Sequence, residues 1–275
     1  MTPYEVAVPS YKRPQRLLER TLTALSEGGV PPRLITVYTH DHDPHSAAYL
    51  DATRAMGVRH EQTGARGIIQ QRRTIADSYP PGTNLVTLDD DVTGLERLTP
   101  DGRGLRPLPD LHGFFQSMFE RTREERLTAW GLAPVRNPFF MKPTVTTDLK
   151  FLIYTCVGFI TDPGHPAQVN TVRTKDDYEH SIRRWWWDGG VVRANGVVAN
   201  AAVYTGSGGL QGAPERGAAP TEEAVRQLEQ QWPGVIRRNS RRKGALPEIL
   251  LNPKRRHGGH PYGALPPGLK GESDG

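Results

Sequence analysis

The chain has 275 residues, 24% of them charged, and a formal net charge of +5. This length is enough for a sizeable core, and one α/β domain with elaborations is the simplest expectation. No apolar run approaches the ~18 residues of a membrane-spanning helix, and the N-terminal residues lack the pattern of a signal peptide. The single cysteine, Cys156, excludes an internal disulfide and a cysteine-built zinc site. We therefore expect a cytoplasmic protein that does not contact a membrane.

The first third of the chain alternates strand and helix patterns. Apolar runs and their stop signals predict strands at 5–9, 34–39, 57–60 and 85–88 and helices at 15–27, 45–56 and 68–79. This alternation predicts an α/β fold with a mostly parallel central sheet and helices on both faces. Ligands of such sheets bind at the carboxyl ends of the strands, where Ser10, Asp41 and the aspartates at 89–91 fall.

The second part has a less regular pattern and predicts a mixed C-terminal elaboration. The expected elements are helices at 111–125, 176–187 and 221–231, with Thr221 as the N-cap of the last, and strands at 128–135, 151–160 and 191–204. We expect residues 1–95 to form a nucleotide-binding half and residues 96–236 the other half of the same domain. Residues 237–275 form a basic tail, expected to be disordered after His257.

Three consecutive aspartates, Asp89, Asp90 and Asp91, close the apolar run at 85–88. Like charges at a strand end need neutralisation, and a divalent cation with phosphate oxygens on its far side supplies it. A solvated acidic turn is the alternative.

Two further segments could contact an anion or a nucleotide. The loop after the first strand offers the ring of Tyr11 and the charge of Lys12 or Arg13. Glycines precede the helix that begins near Gly67, which leaves its first amides free for an anion. Arg66, Gln70 and Arg73 lie about one turn apart on that helix. An ordinary amphipathic helix with solvated arginines is the alternative.

Together, the V-P-S-Y-K-R-P, G-I-I-Q-Q-R-R and L-D-D-D-V motifs resemble the GT-A glycosyltransferases, which use nucleotide-sugar donors. The resemblance implies a GT-A-like fold and an Mn²⁺ or Mg²⁺ ion that holds the donor diphosphate. It makes Asp91 the first metal ligand and Asp89 either a second ligand or a ribose contact. The implied donor-binding residues are Pro9, Ser10, Tyr11, Arg13, Asp41, Arg66, Gln70, Arg73, Asp89 and Asp90.

The segment Lys175-Asp176-Asp177 supplies candidates for a catalytic base. Sugar transfer with inversion needs a carboxylate to deprotonate the acceptor hydroxyl, and inverting members of this fold carry one at a helix start. We expect Asp177 or Asp176 in this role. The alternative is that both carboxylates only favour the positive end of the helix.

The set of motifs is most similar to the phage-type glycosyltransferases associated with TET/J-binding proteins, which glycosylate hydroxymethylated pyrimidines in DNA. The resemblance implies transfer of a sugar, glucose first, from a UDP-sugar to 5-hydroxymethylcytosine or 5-hydroxymethyluracil, in the host cytoplasm for a viral chain. Basic residues suit a DNA acceptor, and a tryptophan could stack on a flipped base. The candidate DNA contacts are Arg237, Arg238, Arg241, Arg242, Lys243 and Trp186.

Other interpretations remain open. The acceptor could be a glycan or a small molecule, or the chain could be a non-catalytic DNA-binding module. Clustered carboxylates also serve metal-dependent nucleases and nucleotidyltransferases. The glycine-rich residues 206–212 could form a loop that closes over the donor, and His257 or His260 could supply a further metal ligand. The oligomeric state is not predicted.

Overall fold

The structure is a computed structural model that describes residues 2–201, 217–239 and 247–252. Its strands are β1 Glu5–Pro9, β2 Ile35–His40, β3 Arg59–Thr63, β4 Asn84–Leu88, β5 Val92–Leu98, β6 Leu105–Pro107, β7 Ala129–Leu132, β8 Val145–Thr146, β9 Cys156–Ile160, β10 Val192–Ala194, β11 Val197–Ala201, β12 Ile236–Arg238 and β13 Ile249–Leu251. Its α-helices are α1 Pro14–Leu17, α2 Thr23–Glu27, α3 Ser46–Met56, α4 Gly67–Asp77, α5 Leu111–Glu124, α6 Asp176–Asp188 and α7 Ala218–Gln231.

The central sheet has eight strands in the order β3-β2-β1-β4-β9-β7-β10-β8. Six of them point the same way, while β9 and β8 run antiparallel to their neighbours. A three-stranded sheet, β11-β5-β6, and the β12–β13 pair lie outside it. The predicted mostly parallel sheet with a mixed elaboration is confirmed.

Successive side chains of a strand point to opposite faces, so a strand contributes side chains to two hydrophobic cores, one on each face of the sheet. On one face Val86 and Leu88 of β4 pack with Phe115 of α5 and with residues of α1, α2 and α3. On the other face Leu85 packs with Ile75 of α4. We call these the α5 face and the α4 face. The α6 helix also lies on the α4 face, because its residue His180 lines a cavity there with residues of α4.

A π-helical turn, Leu18–Leu22, joins α1 to α2. Such turns displace one residue from the regular helical ladder and are frequent at functional sites. Here the displaced region contains Thr21, which is fully buried. Its hydroxyl donates to the carbonyl of Asp89 at 2.8 Å and accepts from the backbone N–H of Val92 at 3.0 Å. The π-helical turn therefore holds the backbone on both sides of the aspartate triplet.

Several element boundaries differ from the sequence predictions. The β5–β6 hairpin after the triplet was not predicted. The strand expected at 151–160 begins only at Cys156, because the N–H of Leu152 bonds to the hydroxyl of Ser181 on α6 instead of a neighbouring strand. Thr221 is not an N-cap: α7 starts at Ala218, and the Thr221 hydroxyl donates to the carbonyl of Gly217, one turn back.

Candidate functional site

The three aspartates follow β4 at the carboxyl edge of the sheet, and their side chains continue the alternation of the strand. Asp89 points to the α4 face, where it contacts Arg72. Asp90 points to the α5 face, where it contacts Ser10 and Arg13. Alternation therefore divides a run of identical residues between two environments.

The environment of Asp90 is closed. One carboxylate oxygen accepts from the Ser10 hydroxyl at 2.6 Å, and the other pairs with the Arg13 guanidinium at 3.1 Å. Tyr49 of α3 completes the network, since its hydroxyl lies 2.7 Å from that of Ser10 and accepts from the N–H of Arg13 at 2.9 Å. Burial raises the pKa of Asp90 to about 6, against the opposing effect of Arg13.

This network corrects part of the predicted donor site. Ser10 and Asp90 are buried and already hydrogen-bonded, and Pro9 is buried within β1. Both oxygens of Asp90 are bonded to residues of the loop after β1, one to Ser10 and the other to Arg13. The network therefore fixes that loop against the end of β4. Tyr11 and Lys12 of that loop remain exposed.

Asp89 lies in a more open environment, and Arg72 links it to the second half of the chain. The guanidinium of Arg72 on α4 contacts Asp176 at 2.7 Å and Asp89 at 3.2 Å, and it lies 4.0 Å from the ring centre of Tyr154. Burial opposes the charge of Arg72, but the carboxylates of Asp176 and Asp89 raise its pKa. One arginine thus joins the end of β4 to the start of α6.

This bridge also corrects the assignment made on α4. The sequence analysis selected Arg73, but that side chain is largely exposed and pairs with Asp77 at 3.6 Å, one turn further along the helix. Gln70 is engaged locally, since its side-chain oxygen accepts from the N–H of Arg66 at 3.0 Å. Both Arg66 and Gln70 remain exposed near the start of α4.

Asp177 lies beside Asp176 in the first turn of α6. Burial, and next the charge of Asp176, raise the pKa of Asp177 to about 8, although the backbone N–H of Tyr154 donates to it. A carboxyl group with this pKa can accept a proton near neutral pH, as a general base must. Lys175, which precedes the pair, contacts Glu248 at 3.9 Å instead of either aspartate.

Asp91 is the least engaged carboxylate of the triplet. Among the described residues, no hydrogen bond or ion pair involves its side chain, and it is only partly buried. Asp89 uses one oxygen for Arg72 and is 35% exposed. Hard oxygen donors of this kind fit Mg²⁺ or Mn²⁺. No group of three potential metal ligands occurs within the described ranges.

The other predicted ligand contacts occupy the same edge. Asp41 follows β2, is 44% exposed and lies 2.9 Å from the ring nitrogen Nδ1 of His40. The His40 ring in turn meets the ring of Tyr11 edge-on, with 6.4 Å between centroids. Tyr11, His40 and Asp41 therefore form a partly exposed surface beside the closed network of Asp90.

The tryptophan among the predicted DNA contacts lies in the core. Trp186 is 5% exposed and packs edge-on against Trp232, so it cannot stack on a base, which corrects that prediction. Its neighbours Trp185 and Trp187 are buried too, because α6 is enclosed by the sheet on one side and by α7, β12 and β13 on the other.

The basic residues at the start of the predicted tail lie in strand β12, which pairs with β13. Arg237 is exposed. Arg238 is tied to Glu222 at 2.8 Å and to Glu229 at 3.1 Å, so its charge is largely compensated. Other predicted residues lie outside the described ranges, namely Arg241, Arg242, Lys243, His257, His260 and the loop at 206–212.

Three site residues were missed from the sequence: Arg72, Tyr49 and Thr21. Arg72 stands next to Arg73 in the Q-R-R run, and only the rotation of α4 against the sheet decides which arginine points inward. Tyr49 and Thr21 lie in ordinary amphipathic segments. No local pattern marks their hydroxyls as partners of the loop after β1 and of the triplet backbone.

Solved structures share this arrangement of elements at low sequence identity. Glucosyl-3-phosphoglycerate synthase from Mycobacterium tuberculosis, in complex with Mn²⁺, UDP-glucose and phosphoglyceric acid, superposes with a TM-score of 0.51 and 11% identity, over 90% of this chain and 86% of that chain. Its complex with Mn²⁺, UDP and glucosyl-3-phosphoglycerate gives 0.50 and 11%, over 91% and 87%. The fold is GT-A-like.

A third GT-A-like structure, S. aureus TarS 1-349, gives a TM-score of 0.48 at 10% identity over 70% of this chain and 58% of that one. The chain thus spans less than two thirds of that TarS fragment. No protein-family model matches the sequence, and no curated protein matches it. Within the described ranges, no helix combines the length and the apolar character needed to cross a membrane.

Proposed function

We propose that the chain is a metal-dependent glycosyltransferase that moves a hexose, with glucose as the first candidate, from a UDP-sugar to the hydroxyl of a hydroxymethylpyrimidine in DNA. The observation that carries this proposal is the open carboxylate cluster of the α4 face. There Asp89 meets the start of α6 through the Arg72 bridge, with Asp91 two residues further along the chain, at the edge of the sheet where ligands of such folds bind.

Asp91 and Asp89 are the residues that would hold the metal. Both offer carboxylate oxygens that no described residue engages, and both are partly exposed, so phosphate oxygens of a donor could share the coordination shell. When bound, Mn²⁺ or Mg²⁺ would stabilise the negative charge of the departing nucleoside diphosphate as a Lewis acid. The structures of glucosyl-3-phosphoglycerate synthase with Mn²⁺ and UDP-glucose support this choice of metal and donor, because the fold is shared.

The remaining donor contacts lie around the metal residues. The exposed ring of Tyr11 and the carboxylate of Asp41 are suited to the nucleoside, since one can stack and the other can accept from a ribose hydroxyl. The start of α4, with Arg66 and Gln70, is suited to the diphosphate, because free amides and positive charge favour an anion there. The Asp90 network holds the Tyr11 loop in position.

Asp177 is the proposed base. It takes the proton from the acceptor hydroxyl as the new bond to the anomeric carbon forms and the bond to the UDP oxygen breaks, which inverts that carbon. Its pKa of about 8 matches this role. Asp176, fixed by Arg72 at 2.7 Å, orients the start of α6.

The DNA acceptor rests on charge and on the resemblance of the motifs. A net charge of +5, with basic runs at 237–243 and 254–257, suits a polyanionic partner. Arg237 is the described member of these runs that is exposed and free of ion pairs among the described residues. Neutralising Arg237, Arg241, Arg242 and Lys243 together is expected to weaken DNA binding and flatten its salt dependence.

The deciding experiment is intact-mass analysis of oligonucleotides that carry 5-hydroxymethylcytosine, 5-hydroxymethyluracil or no modification. Each is incubated with UDP-glucose and Mn²⁺, with and without EDTA. A hexose-sized gain on a hydroxymethylated strand alone, abolished by EDTA, is the expected result. UDP release without a gain in mass would reject the DNA acceptor and keep the transferase, in favour of a glycan or small-molecule acceptor. Cleaved oligonucleotides would instead indicate a metal-dependent nuclease.

A further inference from the structure

Two phenylalanines are exposed on the surface between β7 and β8. Phe139 is 85% exposed and Phe140 is 68% exposed, more than any other large apolar side chain in the described ranges. Their rings meet edge-on with 5.0 Å between centroids. Both belong to a 3₁₀ turn, Pro138–Phe140, in which the side chain of Asn137 accepts from the N–H of Phe139. The turn thus presents both rings in a fixed orientation.

A pocket of about 290 Å³ adjoins this turn. Its wall is apolar on one side, with Ala133, Pro134, Val135 and Phe140, and polar on the other, with Arg193 and Asn195. The segment after β7 and the end of β10 both reach the carboxyl edge of the sheet, since Leu132 and Ala194 are paired in parallel at the ends of these strands. The pocket therefore opens on the same edge as the aspartate triplet.

Arg193 lies on the same face of the sheet as the proposed base. Its neighbours Val192 and Ala194 pack into the core of the α5 face, so alternation turns Arg193 to the α4 face. Three strand spacings separate β10 from β4 in the sheet order, which is about 14 Å. The pocket and the carboxylate cluster thus belong to one surface.

The charge of this pocket is not compensated by the described residues. The Nε of Arg193 donates to Asn195 Oδ1 at 2.7 Å, but the guanidinium forms no ion pair with any described carboxylate. Lys142 is exposed and likewise has no ion pair within these ranges. Its backbone N–H donates to the carbonyl of Asn195 at 3.2 Å, which holds this residue beside the pocket. A half-buried guanidinium favours an anionic partner that can accept two hydrogen bonds, such as a phosphate.

We infer that Phe139, Phe140 and Arg193 form an acceptor subsite that binds single-stranded nucleic acid next to the reacting nucleotide, with a base stacked on the phenylalanines and a phosphate held by Arg193. Exposed aromatic rings beside uncompensated cations are the combination that binds single strands, because bases stack and the backbone is anionic. The distance from the triplet assigns this subsite to a flanking nucleotide. The inference rests on the proposed DNA acceptor and replaces Trp186 with these residues as the stacking surface.

The test measures fluorescence anisotropy of a labelled single strand of about 12 nucleotides carrying 5-hydroxymethyluracil. The variants are Phe139→Ala, the double variant Phe139→Ala/Phe140→Ala, Arg193→Gln and Arg193→Lys. The matched controls, Leu50→Ala and Arg54→Gln, remove an exposed apolar side chain and an exposed charge from α3 on the other face. UDP-glucose affinity is measured by calorimetry on every variant, and thermal melting reports the fold.

The double variant is expected to bind the strand about tenfold more weakly or worse, and Phe139→Ala alone less severely, at unchanged donor affinity. Arg193→Gln should lower the slope of log affinity against log salt by about 1, and Arg193→Lys should restore that slope but not the full affinity. The controls should match the unaltered chain in both measurements.

Unchanged strand affinity in the double variant would overturn the subsite. So would an unaltered chain that self-associates and becomes monomeric in the double variant, because the surface would then be an interface between two copies. Donor binding separates these outcomes from a failure of the proposed function. An unaltered chain that binds neither UDP-glucose nor the strand refutes the function itself, whereas one that binds only UDP-glucose refutes the nucleic-acid acceptor and this subsite.

Discussion

The two sides of the carboxyl edge differ in how far their charges are compensated. On the α5 face, Asp90 is buried with both oxygens bonded to Ser10 and Arg13. On the α4 face, Asp89, Asp176 and Asp177 lie around one cation, Arg72, which pairs with the first two among the described residues. A closed network needs nothing from outside the chain, whereas an open one favours a cation. Neighbouring residues of one acidic run thus lie in a closed network on one side and in a partly open cluster on the other.

The largest effect is expected from replacing Asp91, the proposed metal ligand. Asp91→Asn should lower metal-dependent UDP release by about a thousandfold or more, because a metal at this site supplies several kcal/mol of charge stabilisation. UDP release is measured with Mn²⁺ over a range of concentrations, and Asp51→Asn on α3 is the matched control for loss of one exposed acid. Full activity of Asp91→Asn would remove the metal from this residue.

The next variant separates the base from its neighbour. Asp177→Asn should reduce transfer by about 10²–10⁴-fold while UDP-sugar affinity persists, because only proton abstraction is lost. Asp176→Asn should reduce transfer less, since it loses the contact with Arg72 but keeps the base. Transfer and donor affinity are measured on both. The reverse ranking of the two variants would assign the base to Asp176.

The pH dependence follows from the raised pKa of Asp177. Transfer should rise about tenfold per pH unit below pH 8 and level off above it, because the base must lose its proton and its pKa is about 8. The same raised pKa makes the free energy of unfolding fall as pH rises. The folded chain binds more protons than the unfolded chain between the ordinary value of 3.8 and about 8, so the contribution of this group to stability declines as pH rises across that window. A rate that stays flat from pH 6 to 8.5 would contradict the assignment.

Removing Arg72 should destabilise the fold and release the contact between the end of β4 and the start of α6. Arg72→Gln leaves Asp89 and Asp176 without their shared cation, and we expect a loss of about 2 kcal/mol in the free energy of unfolding at pH 7. Arg73→Gln, which removes an exposed arginine from the same helix, is the matched control and should change little. Urea unfolding of both variants checks this difference, and equal losses would show that Arg72 is not a bridge in solution.

The smallest effect is expected on the closed side. Ser10→Ala removes the hydroxyl between Asp90 and Tyr49 and should lower the free energy of unfolding by about 1–2 kcal/mol. Metal affinity should change little, because among the described residues no hydrogen bond or ion pair joins the Ser10 hydroxyl to the carboxylate of Asp89 or Asp91. Ser26→Ala, an exposed serine on α2, is the control for urea unfolding. A large loss of Mn²⁺ affinity in Ser10→Ala would mean that the two sides are coupled.

The sequence predicted the elements that carry the open side. Apolar periodicity located β1, β4, α4 and α6 to within a few residues, since these segments are long or strongly patterned. It also placed the triplet at a strand end and the carboxylate pair at a helix start, because both follow from local signals. Neither the β5–β6 hairpin nor the burial of all three tryptophans of α6 was predicted, because pairing with β11 and enclosure by α7 are contacts between distant segments.

The sequence by itself determined the mostly parallel sheet and the aspartates at its carboxyl edge, because strand periodicity and strand ends are local properties. The tertiary structure alone decided which aspartate is closed and which is open, since that depends on whether α3 or α4 lies beside each face of β4. It likewise selected Arg72 over Arg73 and exposed Phe139 and Phe140 in place of Trp186. The physical reason is the same in each case: burial and charge compensation depend on neighbours that are far apart in the chain.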